Sequence, residues 1–151
     1  MAQKNRNLEK QSRRSATVED NYPDVRDYVL LDENEKIVGQ VIDMIIDLDK
    51  DLVRYLHVYI DPERSMADRF RNLLIPTGFF RADLQNREVY LYGISLEQVL
   101  HLPDYDGGTV SPGLENEIAA LLTPETGKIA RNPDDFYNYD HFTPIYINEL
   151  E

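Results

Sequence analysis

The sequence predicts a mainly β fold, an antiparallel barrel or sandwich with two short helices after it. Apolar and polar residues alternate over two long runs between Ile37 and Asp61, which is the pattern of a β-hairpin. Further short strand patterns follow as far as Tyr92, and the two helix-start signals come after that point. The length of 151 residues fits one domain. We therefore expect a sheet-rich body followed by a helical C-terminal part.

Two long strands joined by an acidic turn form the first predicted hairpin. The apolar face of the first strand is formed by Ile42, Met44, Ile46 and Leu48, and the opposite face by Asp43, Asp47 and Asp49. This alternation is typical of a half-buried strand. The second strand begins after the turn at residues 49–51. Its apolar face is formed by Leu56, Val58 and Ile60, and its other, amphipathic face by Val53, Tyr55, His57 and Tyr59.

Three shorter strands and two turns follow. Leu73–Ile75 forms a strand pattern that stops at Pro76, because proline cannot donate a ladder hydrogen bond and belongs at a strand end or an edge. Phe79–Asp83 and Glu88–Tyr92 flank Leu84–Arg87, a polar connection whose asparagine can adopt a left-handed conformation. These segments predict a strand that ends at a corner and a second hairpin.

Two short helices are predicted after the strands. Ser95 and Gln98 have the spacing of a capping box, which starts a helix that ends at Pro103. Ser111 followed by Pro112 has the N-cap and first-turn pattern of a second helix. The predicted buried stripe of this second helix consists of Leu114, Ile118, Leu121 and Leu122. Its predicted opposite side contains Glu115 and Glu117.

The order and spacing of these segments resemble the PRC-barrel domain, a family named after the cytoplasmic part of the photosynthetic reaction-centre H subunit. The resemblance covers residues Val25 to Asp106. It rests on D-V-R-D-Y, D-E-N-E-K-I-V-G-Q-V-I-D-M-I-I-D, L-V-R-Y-L-H-V-Y-I-D, L-L-I-P-T-G-F-F-R-A-D and R-E-V-Y-L-Y-G-I-S-L-E-Q-V-L-H-L-P-D-Y-D. It implies a small antiparallel PRC-type β-barrel, and it carries no catalytic residues.

Three residues within that pattern have a predicted structural role. Gly39 gives a strand entry without a side chain, and Pro76 and Gly78 form a barrel corner where the glycine relieves crowding. The predicted division of the chain is a basic, disordered arm over residues 1–21, the PRC-barrel domain over residues 22–106, and a helix with an aromatic C-terminal extension over residues 107–151.

Charge is distributed unevenly along the chain. Five Lys or Arg residues and one Glu in residues 1–14 give a net charge of +4, which leaves −16 for the remainder of a chain whose net charge is −12. Tight binding to nucleic acid needs clustered cations that displace counterions, so the acidic body excludes it. For the basic arm we expect at most weak contact with an anionic surface.

The sequence lacks the residue patterns of an enzyme or a metalloprotein. It contains no Cys, which excludes disulfides and thiolate chemistry and fits a cytoplasmic location. Asp47, Asp49 and Asp51 resemble the start of a calcium loop, but Leu52 and Val58 replace its glycine and its bidentate glutamate. The three histidines lack zinc-site spacing, and nucleotide-binding and serine-hydrolase motifs are missing. No apolar run approaches the length of a membrane span. We expect no catalysis and no cofactor.

The last part of the chain is unusually aromatic. Five of the fifteen aromatic residues lie within the eleven positions from Phe136 to Tyr146. The segment F-Y-N-Y-D-H-F resembles the end of bacterial, often stress-associated, PRC-barrel proteins. Two roles are open, a strap that packs on its own barrel and a docking segment for another chain. The predicted interface residues are Tyr55, His57, Tyr59, Phe136, Tyr137, Tyr139, His141 and Phe142.

Three classes of function follow from the residues and the resemblance. The leading hypothesis is a non-enzymatic interaction or scaffold module that forms a homodimer and binds an unidentified protein partner. A second is an accessory factor of RNA metabolism, since a similar barrel forms the C-terminal part of bacterial ribosome maturation factors. A third is a reaction-centre H-subunit-like protein that supports electron and proton transfer.

Overall fold

The computed structural model describes residues 8–10, 24–50, 52–122 and 146–148. The strands are β1 (Leu8–Lys10), β2 (Val29–Leu31), β3 (Ile37–Asp47), β4 (Leu52–Ile60), β5 (Arg71–Pro76), β6 (Phe80–Asp83), β7 (Glu88–Leu91) and β8 (Tyr146–Asn148). The helices are α1 (Leu96–Val99) and α2 (Pro112–Leu122), and a 3-10 turn covers Thr77–Phe79. The predicted mainly β fold with two short helices is confirmed.

The strands form one mixed, curled sheet. Six of them are hydrogen-bonded in the order β5-β4-β3-β2-β7-β6, with β8 next to β6 and β1 next to β3. Two pairs are parallel, β2 with β7 and β6 with β8. Strands joined by a hairpin run antiparallel, whereas strands far apart in the sequence are free of that constraint. The predicted fully antiparallel arrangement is therefore wrong for these two pairs.

The sheet is curled into a half-barrel and does not close. In the described part of the chain no ladder joins β5 to β6, although these strands follow each other in the sequence. The 3-10 turn after Pro76 separates them. The β5 strand instead bonds to another segment, since the Tyr105 N–H donates to the Asn72 carbonyl at 2.8 Å. This carbonyl is therefore not available to a strand that would close the sheet. The prediction of a closed barrel is wrong.

Two irregularities in the β3–β4 ladder change which side chains are buried. The register shifts between Val41 and Asp43 and again between Ile45 and Ile46. Such bulges break the strict period of two. As a result Ile42 is 40% exposed, whereas Asp43 is only 4% exposed. The predicted separation of an apolar buried face from an acidic face is wrong at these positions.

Asp47, which the alternation places on the acidic face, is buried in an ion pair. Arg54 Nη2 lies 3.1 Å from Asp47 Oδ2. Asp47 Oδ1 accepts hydrogen bonds from the N–H groups of Asp49 and Lys50 at 3.0 and 3.3 Å. Buried carboxylates require partners of this kind. The carboxylate therefore ties the turn after β3 to β4.

The predicted structural residues lie at a close approach and at a corner. A Cβ on Gly39 would lie 1.8 Å from the Tyr59 carbonyl oxygen, so β3 and β4 pass too closely there for any side chain. Pro76 is the last residue of β5, and Gly78 lies in the 3-10 turn that follows. The second predicted hairpin is present as β6 and β7, with Arg87 and not the asparagine in the left-handed conformation.

Both predicted helix starts are present. Ser95 accepts a hydrogen bond from the Gln98 N–H, and the Gln98 side chain accepts one from the Ser95 N–H, which completes the capping box of α1. At the start of α2, Ser111 Oγ accepts a hydrogen bond from the Leu114 N–H at 3.1 Å. These local bonds satisfy backbone donors that an isolated helix end would leave unpaired.

The buried side of α2 is rotated relative to the prediction. Glu115 is 0% exposed and lies on the buried side with Ile118 and Ala119, whereas Leu121 is exposed. The predicted solvent-facing position of Glu115 is therefore wrong, because the sheet beneath α2 supplies a hydrogen-bond donor. Glu117 is exposed, as predicted.

The structure describes three residues of the basic arm. Leu8–Lys10 form β1 and pair antiparallel with residues 45–47 of β3, which differs from the disorder predicted for this arm. The other residues before position 24 lie outside the described residues, as do those from Phe136 to Phe142. Of the helices that the structure describes, none combines the length and the apolar character needed to cross a bilayer.

Candidate functional site

The amphipathic face of β4 is covered by the chain itself. Tyr55 is buried, and its OH donates to Glu115 Oε1 of α2 at 2.9 Å. Buried polar groups are almost always hydrogen-bonded, and this bond accounts for a carboxylate on the buried side of a helix. Two predicted interface residues, Tyr55 and His57, are thus buried against α2 and Tyr105 of the same chain. Contact of these side chains with another chain stays a prediction.

His57 is 6% exposed within this covered face. Its Nε2–H donates to Asn72 Oδ1 at 2.9 Å, and its ring packs edge-on against Tyr105 with centroids 4.9 Å apart. Nδ1 is buried, and no described residue donates a hydrogen bond to it. Burial lowers the pKa of His57, and the Asn72 hydrogen bond opposes this shift in part. The Lys10 ammonium lowers the pKa further and the Asp43 carboxylate raises it. The fold therefore favours the neutral ring.

Arg71 holds the connection between α1 and α2 against the sheet. Its Nη1 and Nη2 donate to the carbonyls of Leu100 and Leu102 at 2.9 and 2.7 Å, and its Nε donates to Asp104. Arg69 also pairs with Asp104 at 2.8 Å. The Arg71 hydrogen bond is the main cause that lowers the pKa of Asp104. Sequence reasoning missed these Arg71 hydrogen bonds, because an arginine at the start of a strand pattern is not by itself a sign of burial.

Tyr59 lies at the margin of the covered face. It is half-buried, and its ring stacks on Phe70 with centroids 5.5 Å apart. The structure therefore brings Tyr55 and His57 together beneath the cover and leaves Tyr59 next to the surface. The remaining predicted interface residues lie outside the described residues, namely Phe136, Tyr137, Tyr139, His141 and Phe142.

A surface groove lies where β2, β7 and β6 meet, and its volume is about 290 Å³. This acidic groove is lined by Leu31, Glu33, Glu35, Asp83, Glu88, Tyr90, Leu91 and Tyr92. Leu31 and Leu91 are buried and form an apolar base, whereas Tyr92 is exposed at the rim. Small-molecule sites are mostly apolar, whereas four of the eight residues that line this groove carry carboxylates, so the groove suits a charged partner better.

The four carboxylates of the acidic groove differ in their partners. Glu33 Oε1 accepts a hydrogen bond from an N–H at the start of α1, and Asp83 accepts two from Asn86. The backbone bond from Asn86, followed by its side-chain bond, lowers the pKa of Asp83. No hydrogen bond or ion pair from a described residue reaches the carboxylates of Glu35 and Glu88. These two groups are available to an external cation.

The aromatic side of the acidic groove already holds one cation. The Arg81 guanidinium lies over the Tyr92 ring, with 3.7 Å between Cζ and the ring centroid. This is the geometry of a cation–π contact. Tyr90 is the register partner of Arg81 in the β6–β7 ladder, so both side chains lie on the same face of the sheet. The acidic groove therefore combines carboxylates with an aromatic surface that accepts a guanidinium.

Sequence reasoning missed the acidic groove because the groove depends on the parallel pairing of β2 with β7. That register places Leu31 opposite Tyr90, two residues that belong to different hairpins. A local pattern carries no information about such a pair. The available signal is the recurrence of acidic residues at the ends of both strands, at Glu33, Glu35 and Glu88.

Within the described ranges, no three His, Asp or Glu side chains come close enough together to hold a metal ion. Comparison with known proteins gives no further assignment. No family model matches the sequence, and no curated protein matches it. The function is therefore inferred from the fold and from the geometry of the acidic groove.

Proposed function

We propose that the protein is a non-enzymatic interaction module of the PRC-barrel type that binds a basic segment of a partner protein in the acidic groove. The observation that carries this proposal is the groove itself, in which four carboxylates and two tyrosines surround an apolar base. The resemblance of residues 25–106 to the PRC-barrel domain supports the module class. The curled shape of the sheet and the corner at Pro76 agree with that class, whereas the open and partly parallel arrangement of the strands departs from it.

Lysine and arginine side chains match the chemistry of the acidic groove. Their charged groups can pair with Glu35 and Glu88, which receive no cation from the described part of the chain. Their aliphatic stems can pack on the leucines at the base and on the part of the exposed Tyr92 ring that Arg81 does not cover. Glu33 and Asp83 add to the negative potential while bonded within the chain. The strongly acidic body also attracts basic partners from a distance.

Charge reversal in the acidic groove tests the proposal. The variant carries Glu35→Lys together with Glu88→Lys, and the probes are fluorescent peptides in which Lys or Arg alternates with Leu. Each exposed ion pair contributes about 0.2–1 kcal/mol, and reversal replaces attraction by repulsion at two positions, so we expect the Kd to rise by about tenfold. Fluorescence anisotropy at low ionic strength measures the change.

The matched control carries Glu97→Lys together with Glu117→Lys. This variant changes the net charge by the same amount at two exposed positions outside the acidic groove. It should keep the wild-type Kd. Equal losses in both double variants would assign binding to the overall charge of the body. A wild-type protein that binds none of the basic peptides would remove the proposal.

A further inference from the structure

The β4–β5 loop, residues 61–70, is much longer than its position requires. It joins two antiparallel neighbours, which a two-residue turn can connect. The chain instead uses ten residues, none of which lines the acidic groove. Binding residues are found disproportionately on loops that a rigid scaffold positions. The loop is therefore a second candidate surface, separate from the proposed function.

Asp61 fixes the first half of the β4–β5 loop. Its N–H donates to the Val38 carbonyl at 2.9 Å, which ties the loop to β3. Its carboxylate accepts from the Glu63 N–H at 2.9 Å, and its carbonyl accepts from Ser65 Oγ at 2.8 Å. Ser65 Oγ in turn accepts from the Ala67 N–H at 3.1 Å. These bonds restrict the first half of the loop, and such restriction reduces the entropy lost on association.

The β4–β5 loop presents two large apolar side chains to solvent. Met66 is 66% exposed and Phe70 is 60% exposed, the highest values among the large hydrophobic residues that the structure describes. Phe70 stacks on Tyr59 with the rings inclined by 19°. We call these three residues the aromatic patch. A stacked aromatic pair and an exposed methionine are residue types that recur at protein-binding sites.

The charged residues of the β4–β5 loop are of both signs, unlike the strongly acidic body as a whole. Glu63 is followed by Arg64, and Asp68 is followed by Arg69. Arg69 is engaged with Asp68, whereas Arg64 lies 4.0 Å from Asp61 and its side chain remains 61% exposed. Where an acidic and a basic residue are adjacent, a two-fold axis can place the acidic residue of each copy opposite the basic residue of the other. A uniformly acidic partner would be repelled by the acidic residue of such a pair, and a uniformly basic partner by the basic residue.

We propose that the aromatic patch is the contact surface through which two copies of this chain associate. The Tyr59–Phe70 stacks of the two copies meet across a two-fold axis, and Met66 fills the space beside them. Glu63 of each copy faces Arg64 of the other at the rim. Two chains of net charge −12 repel each other overall. At physiological ionic strength, however, charge interactions beyond about 8 Å are largely screened. The charges near the contact therefore determine whether the two copies attract or repel each other.

Sedimentation equilibrium of the full-length chain tests the apolar part of the contact. We expect a concentration-dependent dimer whose dissociation constant rises about tenfold or more in a variant with Met66→Ser and Phe70→Ser. The control carries Ile37→Ser and Leu121→Ser, which removes two other exposed apolar side chains and should keep the dimer. A monomeric wild-type chain at every concentration, or equal weakening in both variants, would overturn the proposal.

A charge exchange tests the geometry without removing the apolar residues. Arg64→Glu alone and Glu63→Arg alone each place like charges opposite each other in a homodimer, so both variants should dimerise more weakly than the wild type. An equimolar mixture should restore association, because an acidic loop then meets a basic one. A mixture no tighter than its components would contradict the two-fold contact. If the wild-type chain stays monomeric and binds neutral lipid vesicles through Phe70, the patch faces a membrane and the proposal is wrong.

Discussion

Protonation of His57 would place a charge in the covered face beneath Tyr105, and this sets a pH dependence of stability. Burial lowers the pKa of His57 in the fold, whereas an unfolded chain titrates near its usual value of about 6.5. As the pH falls through that value the unfolded state binds the proton first. The contribution of His57 to stability is therefore fully present above about pH 6.5 and decreases as the pH falls toward the folded pKa.

Urea unfolding midpoints measured from about pH 7.5 to pH 5 check this prediction. His57→Gln keeps a donor for Asn72 and cannot be protonated, so its midpoint should change less with pH than that of the wild type. His101→Gln is the control, because His101 is exposed and bonds the Glu97 carbonyl on the surface of α1. The lowered pKa of Asp104 makes stability depend on pH only below the usual pKa of aspartate. This carboxylate therefore does not contribute to the pH dependence measured here. Equal pH dependence in wild type and His57→Gln would contradict the assignment.

At the scale of the element, α2 is held on the sheet by the bond between Tyr55 and Glu115. Glu115→Leu removes the acceptor and leaves the Tyr55 OH buried, which costs about 1–3 kcal/mol of unfolding free energy. Glu115→Gln keeps an acceptor oxygen and should lose less. Glu117→Leu, on the exposed side of the same helix, should stay within about 0.5 kcal/mol of the wild type. Denaturant unfolding of the three variants measures their losses of unfolding free energy. A Glu115→Leu variant as stable as the wild type would show that α2 is held by its apolar contacts alone.

The elements that sequence reasoning found are those with local signals. Ser95 with Gln98 and Ser111 with Leu114 make their cap bonds within one helical turn, and Pro76 ends a strand because it lacks an N–H. The open edge of the sheet, the bulges and the acidic groove depend on which strands meet, and adjacent residues do not encode that. The rotation of α2 was missed for the same reason, since a glutamate is buried only when a distant donor such as Tyr55 faces it.

At the scale of the whole molecule, the curled sheet contains a close approach between β3 and β4 at Gly39. Gly39→Ala would place a Cβ 1.8 Å from the Tyr59 carbonyl oxygen, so the two strands must move apart. We expect a loss of about 1–3 kcal/mol or more, as for other overpacked sites. Gly113→Ala is the matched control: its Cβ would meet only Ser111 Oγ at 3.8 Å, and alanine favours the helix. Thermal melts should shift in opposite directions, and a neutral Gly39→Ala would show that the ladder relaxes freely.

The parallel pairing of β2 with β7 also gives the chain an order of folding. The strands β3, β4 and β5 pair with their neighbours in sequence, whereas Val29 of β2 has its register partner Glu88 far along the chain. Closing so long a loop costs more chain entropy than forming a hairpin, so we expect this contact to form late. During synthesis β2 is therefore an edge strand until β7 has left the ribosome. Glu33 and Glu35, in the turn between β2 and β3, place negative charges near the end of β2 and so oppose its pairing with other nascent chains.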